Sequence, residues 1–366
     1  SEEIGRGGFG VVYRCKLKST GDKQLALKVF EYPHDSTWGI NQFHHYAYRE
    51  TDMMQLLSDC KDVIKLVGIR WLSIWKVFIV MELYPTTLDR LLSCRLLPLD
   101  RKCLALNCVD LLESLFFGIK VLHCDLKANN LFVEKSGEGV QLLLGDFGNA
   151  CNSIEGDIFW QPTRKTRGTD MFGKTISWSP QSYHVNEKCR TTQNDVSVDL
   201  FAMLYVIMEV LFGRNTFACG YSVHGEARKL KQVDVEKAVS YYTESCRPFF
   251  QLCHSVIQCD FTPAVEDYPD FLKQVKQSIL HVFDNEGFFT SPRRAAGAIS
   301  VNEALLKVQA QGPVSPAAVP AAPAVRATPA VRATPAVSAA PAVPEQLFGV
   351  PVTTILAAAE KHEGLW

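Results

Sequence analysis

The run Val121-Leu122-His123-Cys124-Asp125-Leu126-Lys127-Ala128-Asn129-Asn130-Leu131-Phe132-Val133 decides the fold. It sets Asp125, Lys127 and Asn130 as a polar island between two apolar stretches. An ordinary loop rarely gathers these three groups between segments that bury themselves. A carboxylate there can accept or orient a hydroxyl proton, and an amide oxygen can ligate a hard cation. An ammonium can neutralise charge on a moving phosphoryl group.

Working outward, the next polar island is in L-L-L-G-D-F-G-N at 142–149. Asp146 ends an apolar run twenty-one residues beyond Asp125. A carboxylate in that place can hold magnesium against phosphates. Upstream, I-G-R-G-G-F-G-V-V at 4–12 contains G-x-G-x-x-G at Gly5, Gly7 and Gly10, with Val12 two residues on. Glycines let backbone N–H groups approach phosphate oxygens. A dinucleotide site would continue into a helix. Here V-V-Y-R-C-K-L alternates like a strand, which fits a hairpin lid over a nucleotide. The same glycines also suit a turn without a ligand. Lys28, in L-A-L-K-V at 25–29, follows Val12 by sixteen residues. It reads as a phosphate contact or as a solvated edge lysine. A buried ammonium needs a partner, and Glu50, on a candidate helix, is the natural one. The alternative is a solvated Glu50 beside Arg49.

These four motifs, in this order, resemble the eukaryotic protein kinase family. The match is good over residues 2 to about 213 and loose from 214 to 308. The resemblance implies a bilobal fold and a phosphotransferase that uses ATP and Mg2+. It matches Gly5, Gly7 and Gly10 to the phosphate-covering loop, and Val12, Ala26 and Phe132 to the walls around adenine. Lys28 and Glu50 match the ion pair on the α- and β-phosphates. Met81 fits the gatekeeper, and Glu82 and Tyr84 the hinge whose backbone bonds adenine. Asp125 matches the catalytic base and Lys127 the phosphate-neutralising lysine. Asn130 and Asp146 match the magnesium ligands, and Asp199 the buried aspartate that ties its helix to the catalytic loop. A lysine two residues after the catalytic aspartate goes with serine/threonine enzymes in this family.

The sequence also departs from the pattern. Cys124 replaces the arginine that normally pairs with an activation-loop phosphate, which implies an activation that depends less on loop phosphorylation. I-S-W-S-P-Q-S-Y at 176–183 resembles the A-P-E motif but has Gln181 for the glutamate. Arg293 or Arg294 is the candidate for that motif's later arginine. Leu204 replaces a glycine usual in its helix, which implies local repacking. Such departures suit a divergent kinase of the kind found in large DNA viruses.

The wider pattern predicts an α+β fold. Val11 to Leu17 and Gln24 to Glu31 flank S-T-G-D, a hairpin signal. Val63 to Leu72 and Lys76 to Leu83 read as two more strands, and Ile40 to Leu57 as a helix. Leu99 to Leu122 reads as helical, Leu131 to Glu134 and Val140 to Leu144 as strands, and the chain after about 195 as helices. We therefore expect a small N-terminal lobe of β-sheet plus one helix at 1–83. A larger, mainly helical lobe follows at 84–308. The chain opens at Ser1, two residues from a motif, which points to a missing N-terminal segment.

Residues 309–346 are almost wholly Ala, Pro and Val, with A-V-R-A-T-P at 324–329 and again at 330–335. Proline at every sixth position blocks helix and central strand. Ala and Val offer little apolar area against ordering entropy. A disordered linker is expected, then a short tail at 347–366 that has room for one helix around Ile355 to His362. The repeat A-V-R-A-T-P has no P-x-x-P core, and nothing in the tail names a partner.

Of 366 residues, 38 are Lys or Arg and 39 Asp or Glu, so no global field points to nucleic acid or an anionic membrane. The longest apolar stretch, Val198 to Phe212, contains Asp199 and Glu209 and is short for a membrane span. Twelve cysteines stand singly, with no C-x-x-C, which fits reduced thiols in the cytoplasm or nucleus, of a host cell if the origin is viral. The expected partners are ATP and protein substrates with serine or threonine hydroxyls. Two alternatives stand beside an active kinase. A pseudokinase or ATP-binding scaffold would typically lack the Lys28, Asp125 or Asp146 equivalent. A small-molecule phosphotransferase of the aminoglycoside- or choline-kinase type would lack the glycine-rich hairpin.

Overall fold

The computed structural model describes residues 2–6, 10–16, 23–32, 40–73, 75–137, 139–152, 196–213, 235–242, 244–257, 267–284, 297–311, 346–347 and 350–351. Gly7, Gln181, Arg293, Arg294, most of the 309–346 linker and the helix expected around 355–362 lie outside them. The described strands and helices make an α+β fold, as the sequence predicts. They fall into two compact units, one with the described residues of 1–36 and 67–83, the other with those of 37–66 and 84–312, so the helix expected in the N-terminal lobe groups with the second unit and not with the sheet.

The first unit is an antiparallel sheet of order β1-β2-β3-β5-β4. Its strands are β1 (Glu2–Arg6), β2 (Val11–Lys16), β3 (Gln24–Glu31), β4 (Leu66–Ser73) and β5 (Lys76–Glu82). Apolar and β-branched residues dominate β3 and β5, and Leu25, Phe30, Val77, Ile79 and Val80 are buried. Register puts Val12 opposite Lys28 and Lys28 opposite Ile79. Because side chains alternate along a strand, Val12, Ala26, Lys28, Ile79 and Met81 share one face.

The second unit contains α1 (Ile40–Leu56), the short β6 (Thr86–Thr87) and α2 (Leu88–Leu91). Then come α3 (Pro98–Glu113), β7 (Val121–Leu122), β8 (Leu131–Ser136), β9 (Gly139–Leu144) and β10 (Cys151–Asn152). Helices α4 (Val196–Phe212), α5 (Val235–Tyr241), α6 (Arg247–Ile257), α7 (Tyr268–Asp284) and α8 (Val301–Ala310) complete it. Two further strands, β11 (Gln346–Leu347) and β12 (Val350–Pro351), pair with each other. Helix α4 is the core. Leu200, Met203, Leu204, Val206, Ile207, Val210 and Leu211 cover all its sides and are all buried, as expected of a helix apolar all round. Leu204, in place of a glycine, is packed into this core with no exposure. Helix α3 packs on α4 and α7, and Lys276 of α7 bonds Asp110 and Glu113 of α3 at 2.8 Å each.

Helix α8 is closed by a capping box of Ser300 and Glu303. Asp100 Oδ2 accepts a further bond from Val301 N at 2.8 Å, and the Ile299 backbone pairs with Arg95 and Leu97. The helical body thus runs to residue 311.

One expectation needs correction. The helix predicted to run to Leu122 stops at Glu113. Ser114–Ile119 widens into a π-helix, and Lys120 reverses the chain in the left-handed region, φ 57°. Ser114 Oγ donates to Asp62 Oδ2 at 2.6 Å, a tertiary tie that helical periodicity cannot reveal. Val121–Leu122 then forms β7, paired with β10.

Candidate active site

In the sheet, Gly10 is a glycine by necessity. A Cβ there would lie 2.6 Å from the Val29 carbonyl oxygen, so any other residue would push β2 off β3. Gly5 lies beside a β-bulge, opposite Val12. Ala26 and Met81 are paired across β3 and β5 and are both buried. Glu82 carries a surface ion pair with Lys23 at 2.7 Å.

In the body, the segment 121–149 is built around Asp199 of α4. Its Oδ2 accepts from His123 N at 2.6 Å and its Oδ1 from Cys124 N at 2.9 Å. Cys124 is left-handed, φ 59°, which costs an L-residue about 1–2 kcal/mol. Two hydrogen bonds to a charged acceptor, each worth about 1.5–3 kcal/mol, offset that cost. Asp199 has no exposure. Burial pushes its carboxyl up to about 6, against the pull of His123 and the two backbone N–H groups.

Held by this anchor, Asp125 presents a nearly buried carboxylate. Lys127 Nζ donates to Asp125 Oδ2 at 2.6 Å. Asn130 Nδ2 donates to the Asp125 carbonyl at 2.9 Å and to Oδ2 at 3.2 Å. Asn130 sits in the 3-10 turn Ala128–Asn130, closed by Asn130 N donating to Lys127 O at 2.9 Å. The three residues singled out in the sequence are therefore joined through one oxygen. With its nitrogen used twice, the Asn130 amide is fixed against Asp125.

Gly145 N donates to Asn130 O at 3.0 Å, so the segment that ends in Asp146 is hung directly on Asn130. Asp146 is left-handed, φ 67°. Phe147 is fully buried, its ring 4.9 Å from that of His123. Among the described residues no cluster of three His, Cys, Asp or Glu side chains forms a metal cage. The donors fit a different kind of site. Asn130 and Asp146 offer hard oxygens to a magnesium ion that would complete its shell with phosphate and water.

Glu50 is buried on α1, which packs against the turn Phe147–Asn149. Its Oε2 lies 3.4 Å from the Cβ position of Gly148. Arg49 on the same helix donates to Asn149 O at 3.5 Å. Phe132 lies against Gly145, whose Cβ would come within 2.6 Å of that ring and 2.8 Å of Ile64 Cδ1. Tyr84 makes a tertiary contact through its side chain. Its hydroxyl accepts from Lys65 N at 3.0 Å, and its ring is 6.0 Å from that of Phe132. The segment Asp62–Ile64 in turn pairs with Leu144, through Ile64 N to Leu144 O at 2.9 Å and Leu144 N to Asp62 O at 2.8 Å.

Sequence reasoning gave no role to His123, Gly145 or the Asp62–Lys65 segment. His123 Nε2 lies 3.0 Å from Gly145 O, and a carbonyl only accepts, so this nitrogen carries the proton. His123 stands two residues before Asp125 and Gly145 just before Asp146, a closeness to both carboxylates that was their available signal.

The family model described as Protein kinase domain matches residues 1–274. Serine/threonine-protein kinase 10 of Mus musculus is 26% identical over 216 residues, 57% of this chain and 20% of that protein. Serine/threonine-protein kinase PknK of Mycobacterium tuberculosis is 34% identical over 164 residues, 42% of this chain and 14% of that protein. Mitogen-activated protein kinase HOG1 of Arthrobotrys oligospora is 27% identical over 218 residues, 59% of this chain and 55% of that protein. The chain thus spans between about one seventh and about half of these relatives' lengths.

Proposed function

This chain belongs to the protein kinase family, and from that premise we propose that it is an active serine/threonine kinase. It transfers the γ-phosphoryl group of MgATP to serine and threonine hydroxyls of proteins. The observation that carries this reading is the Asp125 carboxylate, bonded by Lys127 at 2.6 Å and by Asn130 at 3.2 Å in a segment anchored on Asp199.

Asp125 receives and orients the substrate hydroxyl, so that the oxygen attacks in line with the leaving phosphate. Lys127 holds that carboxylate and offers its charge to the transferring phosphoryl group. Lys28 meets the α- and β-phosphates with Glu50 as its ionic partner, and Gly5, Gly7 and Gly10 cover the phosphates. Val12, Ala26, Met81 and Phe132 wall the adenine, with hinge backbone at Glu82 and Tyr84. Magnesium bound by Asn130 and Asp146 would neutralise phosphate charge. Lys127 and the serine/threonine kinases among the relatives support the hydroxyl class.

The test is transfer of label from γ-labelled ATP to a degenerate peptide library, with and without magnesium. Phosphoserine and phosphothreonine are expected. Asp125→Asn should lower kcat by about 10²- to 10⁴-fold while the fold persists by circular dichroism. A chain that binds nucleotide and transfers nothing would be an ATP-binding scaffold. Label on tyrosine alone would overturn the substrate class.

A further inference from the structure

Lys28 and Phe30 are two apart on β3, so the strand puts both side chains on one face. Lys28 Nζ lies 4.8 Å from the centroid of the Phe30 ring. A cation at that distance over an aromatic face is drawn by the ring quadrupole. The ring itself has little room to move. Phe30 is 1% exposed and stands opposite the fully buried Val77 of β5. Its Cδ1 comes within 3.6 Å of the position a Cβ on Gly10 would take. One fixed ring therefore lies beside both Gly10 and the ammonium of Lys28.

We propose that Phe30 is a positioning residue, whose ring holds the Lys28 ammonium in the orientation from which it meets nucleotide phosphate. This rests on the role given to Lys28 under Proposed function. A lysine held in its working orientation before nucleotide arrives favours binding. An aliphatic side chain of similar bulk would fill the core at position 30 but present no negative face. Packing and electrostatics can therefore be separated.

The experiment replaces Phe30 in the full chain with mono-, tri- and pentafluorinated phenylalanine, which keep the ring shape and weaken the quadrupole stepwise. MgATP affinity is read by displacement of a fluorescent ATP analogue, alongside the thermal midpoint. Affinity should fall in step with fluorination, reaching about 3- to 20-fold, with little change in midpoint. Phe30→Tyr should stay near wild type, and Phe30→Leu should bind as weakly as the most fluorinated ring. Equal affinity across the series overturns the proposal. So does weak binding in Phe30→Leu alone, since the ring would then act by packing only. Lys28→Met separates the two readings. If it binds MgATP like wild type, the role of Lys28 fails and this inference with it. If it loses binding while the fluorinated series stays flat, only Phe30 is refuted.

Discussion

In the sheet, Val12, Lys28 and Ile79 stand opposite one another because three strands are in register. In the segment 121–149, Cys124 and Asp125 are placed by a carboxylate seventy-six residues beyond His123. A ladder shares the work of positioning among many backbone bonds, so the loss of one side chain leaves its neighbours in place. The segment 121–149 includes, among its described residues, two left-handed non-glycine residues, Cys124 and Asp146, and rests on a few side-chain bonds. Regular structure gives tolerance; irregular structure aims a group where no strand or helix would point it, and depends on single residues.

The sharpest way to break this contrast is Asp199→Ala. It strands the N–H groups of His123 and Cys124, at about 1–3 kcal/mol for each buried donor left unpaired. Urea unfolding should show that loss. Phosphoryl transfer should fall at least about 100-fold, within the range typical of a displaced general base. Wild-type transfer in this variant would mean that the loop holds its own shape.

Two glycines sharpen the comparison. Gly10→Ala drives a Cβ against a backbone carbonyl, whereas Gly145→Ala meets the Phe132 ring and the end of the Ile64 side chain. Overpacking costs about 1–3 kcal/mol. Thermal melts should place Gly10→Ala at the upper end and Gly145→Ala at the lower, because Ile64 can rotate away. The reverse order would show that the sheet yields more readily than the body.

A smaller effect follows from pH. The Asp199 carboxyl titrates at about 6 in the fold, above its ordinary 3.8. Its contribution to stability is therefore full below about 3.8 and lost as pH rises through about 6. Its grip on the loop runs the other way, since the ionised form accepts more strongly from the two N–H groups. kcat should decline as pH falls through about 6 while the melting temperature does not drop with it. A kcat flat from pH 7 to 5 would remove Asp199 as the titrating anchor.

The smallest effect is expected from Thr163, Thr166 and Thr169, which lie outside the described residues. Cys124 offers no cation to a loop phosphate. The triple alanine variant should keep activity within a few-fold by the same transfer assay, and a hundredfold loss would refute this.

Much of the site could be read from local pattern. The apolar runs at 24–31 and 76–83 announced the strands that carry Ala26, Lys28 and Met81, and the 40–57 pattern announced the helix of Glu50. The polar island of Asp125, Lys127 and Asn130 stood out because apolar runs enclose it. The π-helix at Ser114–Ile119 and the left-handed turns at Lys120, Cys124 and Asp146 did not. Neither did the hydroxyl contact of Tyr84 with Lys65.

The sequence alone determined most of the longer elements, the family and the cast of chemical groups, because periodicity and motif spacing are local properties. Tertiary structure decided how the groups are aimed. Asp199 reaches His123, Asn130 orients Asp125, and Gly145 leaves space for Phe132. Each of these contacts exists only once the body has packed, because its geometry comes from the buried surroundings and not from the backbone preference of the residues involved.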